Sequence, residues 1–263
     1  MKIISNIGRL AGIQPEGVLR VEGAAQGRTG MLRNAWLAID GGRIVDFGEM
    51  GSVTPGPDRE SIDACGGMLI PGFCDSHTHV VYAGSRDGEF LDKINGLSYE
   101  EIAARGGGIL NSADLLQQTS EDELYRQSMV RVQEMMDKGT VAMEIKSGYG
   151  LSPEAELKML RVIRRIRETV PATVKSTFLG AHAIGRGYTH EAYVQAVIDM
   201  IPQAAEYADF IDVFCDEGFF TVEDTDRILT AAQHLLTPKI HANELAVSGG
   251  VQVGVKHQAL SVL

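Results

Sequence analysis

The chain has little cysteine, no long apolar run and no excess of basic charge. Its three cysteines, Cys65, Cys74 and Cys215, are odd in number and widely spaced. That excludes a disulfide framework as the basis of the fold and fits a reducing compartment. There is no CxxC pair, which excludes a thiolate zinc site of the usual spacing. No stretch approaches the roughly 18 apolar residues that mark a membrane-spanning helix, so no membrane partner is expected. The opening Met1-Lys2-Ile3-Ile4-Ser5-Asn6 turns polar before a signal-peptide core develops, and a cytoplasmic location is expected. Lys and Arg number 24 against 35 Asp and Glu, a formal net charge of −11, which argues against a nucleic-acid partner. Gly106-Gly107-Gly108 lacks the spacing of a phosphate-binding loop and reads as a flexible or close-packed segment.

What is present is apolar bulk, 44% of 263 residues, enough for one domain or one and a half. Residues 1–67 read as short strands. Ala35-Trp36-Leu37-Ala38-Ile39 runs into Asp40-Gly41-Gly42, a hairpin turn, and residues 43–48 return as its partner. Residues 61–64 form another short strand, and together these predict a small β domain. From residue 68 strands alternate with amphipathic helices. Strands are expected at 140–145, 173–179, 210–214 and 239–242, with a further one beginning in 258–263. Helices are expected at 121–138, 152–169, 191–206 and 222–234. Leu124, Met129, Val132, Met135 and Met136 share one side of the first, and Gly139 stops it. The second opens with Ser152 as cap, Pro153 in the first turn, and Glu154 and Glu156 favouring the helix dipole. Such alternation means a parallel sheet with crossover helices. Polar residues recur at the strand ends: His77 and His79, Lys146 and Tyr149, His182, Asp216 and Glu217, His241 and Glu244. A ring drawn from many strand ends points to a TIM barrel, whereas an open sheet gathers its site in one crevice. Residues 68–263 hold five barrel strands and the start of a sixth.

The sharpest chemical signal is Asp75-Ser76-His77-Thr78-His79, following Met68-Leu69-Ile70-Pro71-Gly72-Phe73-Cys74. Two histidines one residue apart on a strand share a face and can reach one metal ion. His241, closing the strand Lys239-Ile240-His241-Ala242, is a candidate third ligand. Glu244, three residues on, is a carboxylate placed to move a proton during hydrolysis. An aspartate from a later strand is the natural fourth ligand, and no residue of the sequence obviously fills that place. Arg86 can grip a substrate carboxylate bidentately, or pair with Asp87 or Glu89 in its own loop. Tyr149, between two glycines, and His182, at a strand end, are candidate hydrogen-bonding partners of a polar ring. Lys146 is expected to play an ionic or hydrogen-bonding role in the core rather than to bridge two metals. Cys215 has no base in view and is a poor nucleophile candidate.

These stretches resemble the imidazolonepropionase family of the amidohydrolase superfamily. The likeness lies in residues 75–90, 99–109, Glu144 to Leu160 (EIKSGYGLSPEAELKML), Thr177 to Ala183 (TFLGAHA), 212–220 and 241–250. It implies a metal-dependent hydrolase barrel of the (β/α)8 type, an α/β fold, with a small β-sandwich domain to which residues 1–67 contribute the N-terminal part. It implies hydrolysis of 4-imidazolone-5-propanoate to N-formimidoyl-L-glutamate, the third step of histidine degradation, with one zinc or iron ion per subunit and a homodimer. His77, His79 and His241 would be the metal ligands and Glu244 the acid/base. Arg86, Tyr149, His182, Glu244 and Tyr99 would contact substrate, with Arg86 meeting the propionate. A further histidine after the sixth strand and a metal-binding aspartate on the eighth belong to the family pattern and lie outside this sequence. The alternatives are another cyclic-amide hydrolase or deaminase of the superfamily, or a non-enzymatic barrel fragment.

Overall fold

The structure, a computed structural model, describes residues 1–52, 60–98, 101 and 107–263. They divide into two compact units, Met1–Gly72 and Phe73–Leu263. The apolar run that begins at Met68 is shared between the two. Met68–Leu69 joins the sheet of the first unit, and Phe73 opens the first strand of the second.

The first unit is the small β-sandwich unit. Its five-stranded sheet is built on β1 (Lys2–Ile13), a 12-residue strand that the sequence pattern did not single out. β2 (Gly30–Asp40) pairs antiparallel with β1, and β3 (Arg43–Glu49) antiparallel with β2. β4 (Glu60–Asp63) and β5 (Met68–Leu69) lie parallel to β1. The β2–β3 turn is the expected one: Asp40 faces Arg43, and Gly41 and Gly42 have φ of 54° and 76°. Two consecutive positive φ values are what a two-residue hairpin of this hand requires. β1 is hard to read because its apolar period breaks. The register slips between Ile4 and Ile7, where Asn6 has φ 53°. A bulge of one residue turns the following side chains to the other face. Ile3 therefore packs with Trp36 and Ala38, and Ile7 packs with Ala35 and Leu37.

The second unit is a run of parallel strands with helices between them. β6 (Phe73–Thr78), β7 (Thr140–Lys146), β8 (Thr173–Ala181) and β9 (Phe210–Cys215) pair in sequence order. The expected strand at 239–242 is two short pieces, β10 (Thr237–Pro238) and β11 (His241–Ala242), each pairing with β9. The next strand begins where Val262 bridges Ile240 in parallel. This is the partial barrel the sequence predicts. The helices among the described residues are α1 (Asp87–Ile94), α2 (Ile109–Gln118), α3 (Glu121–Asp137), α4 (Pro153–Thr169), α5 (His190–Ala204), α6 (Val222–Ala231) and α7 (Gly250–Lys256).

Helix α3 buries Leu124 and Val132 completely, with Met129, Met135 and Met136 packed at the core's edge. Helix α4 buries Leu157, Met159, Leu160, Val162, Ile163 and Ile166. Each such side chain is worth about 1.5–3 kcal/mol against exposure, as an upper estimate. Two local readings need correction. Ser152 stands at the N-cap of α4 with extended backbone, but its hydroxyl makes no cap bond. Helix α6 stops at Ala231, three residues short of expectation, and His234 takes φ 68° in the turn that follows. Helices α1 and α2 fall in a stretch with no clear periodicity, and α1 buries no side chain. No described helix is long and apolar enough to cross a membrane.

Candidate metal centre and cavity

The HxH pair works because β6 ends there. Thr78 points away from the two histidines and donates its hydroxyl to the Glu144 carbonyl on β7 at 2.6 Å, which pins the strand end. His77 Nε2 and His79 Nε2 are 3.3 Å apart. His241, delivered by β11, brings its Nε2 to 3.1 Å from His77 Nε2. One nitrogen from each of the three lies within 4.8 Å of the others. Ligands about 2.0–2.1 Å from a tetrahedral centre lie roughly 3.3 Å apart, so the spacing suits a single cation.

The electrostatics suit it too. Burial, with His241 and Lys146 next, lowers the His77 pKa. Burial, followed by the neighbouring imidazoles of His182, His77 and His241, brings His79 down to about 3. A neutral imidazole has one lone pair, and His77 and His79, both disfavoured as cations, can each turn it toward the common point. Three imidazole nitrogens are a donor set that suits a transition-metal cation.

Beside the cluster lies a cavity of about 660 Å³, lined by His79, Tyr82, Arg86, Phe90, Ser112 and Tyr149 among others. That volume is typical of a small-molecule site. Arg86 sits just before α1, with Nε 2.8 Å from Glu89 Oε2 and Nη2 bonded to the same oxygen. The Glu89 half of the expected loop pairing is therefore present, and Arg86 still lines the cavity. His182 joins the group from the end of β8, its ring stacked on His79 at 5.4 Å and edge-on to Tyr149 at 5.3 Å. His182 Nδ1 is 2.8 Å from the Gly148 carbonyl, so Nδ1 carries the proton and Nε2 is the acceptor. Burial lowers its pKa to about 4, against the opposing pull of that carbonyl. Burial raises the Tyr149 pKa and keeps the phenol a donor.

Glu244 lies in the loop after β11 and is solvent exposed. Its backbone is fixed: Asp216, after β9, accepts from the amides of Glu244, Leu245 and Ala246 at 2.7, 2.9 and 3.2 Å. Tyr99 lies outside the described residues.

Several supporting residues were not visible as such in the sequence. Glu156, read above as a dipole-favouring acid, is fully buried and accepts from the amides of Gly148, Gly150 and Leu151 at 2.9, 2.7 and 3.0 Å. It shapes the loop carrying Tyr149. A side chain at Gly148, where φ is 110°, would come within 2.9 Å of His182 Nδ1. Arg131 on α3 donates to the carbonyls of Val80 and Tyr82, both at 2.9 Å, and fixes the chain leaving the HxH pair. Beneath the histidines lies a layer of buried charge. Lys146 Nζ is 2.5 Å from Glu144 Oε1 and 2.8 Å from Asp212 Oδ2, and Lys239 pairs with Glu144 Oε2. Lys146 thus has the ionic core role expected of it. The signal for the others was available: Glu144 and Asp212 each interrupt an apolar strand, and buried acids are rare unless paired.

Parallel strands ending in an HxH pair and a third histidine, over a barrel core, are the arrangement of the amidohydrolase superfamily. No family model matches the chain. It is 51% identical to imidazolonepropionase of Christiangramia forsetii over 266 residues, 99% of this chain and 65% of that protein. With the imidazolonepropionases of Flavobacterium johnsoniae and Flavobacterium psychrophilum it shares 48% and 46%, with the same coverage. Along nearly its whole length the chain is similar to these imidazolonepropionases, and it spans 65% of their length. Among solved structures it is similar to a 5-methylcytosine deaminase from Klebsiella pneumoniae liganded with 5-fluorocytosine (TM-score 0.65, 13% identity, 97% of this chain and 55% of that one). It is also similar to a Xaa-Pro dipeptidase with bound methionine (TM-score 0.59, 14% identity, 99% and 60%). At these identities the likeness is one of fold.

Proposed function

We propose that the protein hydrolyses the ring of 4-imidazolone-5-propanoate to N-formimidoyl-L-glutamate, with His77, His79 and His241 holding one zinc or iron ion. The observation that carries this reading is the convergence of three imidazole nitrogens, one of them from His79, which lines a cavity together with Arg86 and Tyr149. An ion held there would supply Lewis acidity, which makes water a competent nucleophile near neutral pH. Every other step belongs to the chain's own groups. The Arg86 guanidinium, held by Glu89 at the cavity wall, meets the propionate carboxylate. The Tyr149 hydroxyl donates to the ring's polar edge, and His182 Nε2 accepts from a ring N–H. Tyr99 is a further substrate contact. Glu244 takes a proton from the attacking water and delivers it to the departing ring nitrogen. The assembly is a homodimer in the cytoplasm.

A deaminase or another cyclic-amide hydrolase would not need a guanidinium for a propionate. The test is incubation of the full-length protein with imidazolonepropionate, followed by mass spectrometry for a product heavier by one water. His77→Ala should lose both the bound ion and turnover. Absence of ring opening by the wild type, or full ion content in His77→Ala, would remove the reading.

A further inference from the structure

Below the histidines the barrel interior departs from the branched apolar packing usual in such cores. Glu144, Lys146, Asp212 and Lys239 are each no more than 5% exposed. Two carboxylates and two ammonium groups make a neutral cage, with Thr177 adding a hydroxyl to Glu144 Oε1. Replacing such a buried ionic group by apolar residues of like volume is often neutral or stabilising, so fold stability alone gives little reason for it. The cage touches the histidine cluster at one described ion-pair contact: Asp212 Oδ2 is 2.9 Å from His241 Nδ1. The approach is short but His241 Nδ1 makes no aligned hydrogen bond, and the other carboxylate oxygen, Asp212 Oδ1, is buried without a partner. Contacts of this kind commonly align only when a site is loaded.

We infer that Asp212 is a positioning residue for His241, with Lys146 holding the carboxylate so that it keeps the proton on His241 Nδ1 and turns the Nε2 lone pair toward the cation. The order of contact is Glu144 to Lys146 to Asp212 to His241, along three strands, β7, β9 and β11. A ring free to rotate or to carry its proton on Nε2 could not ligate. Partners of this type, one step removed from the ion, are typically worth 10–100-fold in metal affinity.

The inference rests on the three histidines being cation ligands, and its test separates the two. The full chain should bind cobalt(II) one per chain; failure of the wild type to do so overturns both. Asp212→Asn should weaken cobalt(II) binding, measured by chelator competition, by about 10–100-fold. It should also shift the cobalt absorption bands. Glu144→Gln removes a charge from the same cage without touching His241, and its affinity should change far less. Equal weakening in both variants would mark a general structural role and overturn the assignment, as would unchanged affinity in Asp212→Asn. If Asp212→Asn does not fold, nitrogen NMR of histidine-labelled, cation-free wild type decides. A His241 proton on Nδ1 supports the inference, and one on Nε2 overturns it.

Discussion

The loops after β7 and β11 are tied by the same device in different surroundings. Glu156 gathers three backbone amides and fixes the loop of Tyr149; Asp216 gathers the amides of Glu217 and of residues 244–246 and fixes the loop of Glu244. Glu156 is sealed in the core, and burial, outweighing its hydrogen bonds to Ser147 and the loop amides, raises its pKa. Asp216 is also shielded from solvent, but by a thin cover of loop. Burial pushes its pKa up, and the amides of Leu245, Glu217, Glu244 and Ala246 together outweigh that and leave it lowered. The difference teaches that a carboxylate can organise a loop from either position, while only the one whose burial outweighs its hydrogen bonds makes the loop part of the core.

The largest effect is expected at the buried clamp. Glu156→Gln replaces one accepting oxygen by an amide group that faces backbone donors. Leaving buried donors unpaired costs about 1–3 kcal/mol for each group, so a loss of roughly 2–4 kcal/mol is expected in chemical denaturation. Tyr149 is placed through this loop, so KM should rise more than kcat falls, with ion binding retained. Asp216→Asn should cost less, about 1–2 kcal/mol, because water can replace the lost acceptor at a thin loop. Its effect should fall on kcat, through Glu244, with KM little changed. A variant pair with the same KM and kcat pattern would break the distinction between a binding loop and a proton-transfer loop.

The same contrast explains what the sequence could and could not reveal. The histidines were legible because a strand places side chains by alternation, so His77 and His79 needed only their spacing and the strand before them. His241 was legible for the same reason. Tyr149 and Glu244 were visible as candidates, but what holds them was not. Glu156 stands in a helix start where an acid has an ordinary explanation, and its true partners, Gly148, Gly150 and Leu151, are backbone groups that no side-chain pattern reports. Asp212 was passed over although an acid within Phe210-Ile211-Asp212-Val213-Phe214 has few reasons to be buried except a partner. β1 escaped for a third reason: the bulge at Asn6 breaks its alternation at mid-strand.

The smallest effect is also the one that divides the two clamps most cleanly. Asp216, with a folded pKa below the ordinary 3.8, contributes stability in full above that value, and the contribution is lost as pH falls through the lowered pKa. Glu156, with a folded pKa above the ordinary 4.5, contributes in full below that value, and its contribution is lost as pH rises through the raised pKa. The stability gap between wild type and Asp216→Asn should therefore close toward acid. The gap between wild type and Glu156→Gln should narrow toward neutrality. Urea midpoints measured from below pH 3.8 to neutrality give both slopes. If the two gaps changed with the same sign, the two carboxylates would be in equivalent surroundings, and burial could not be what distinguishes the loops.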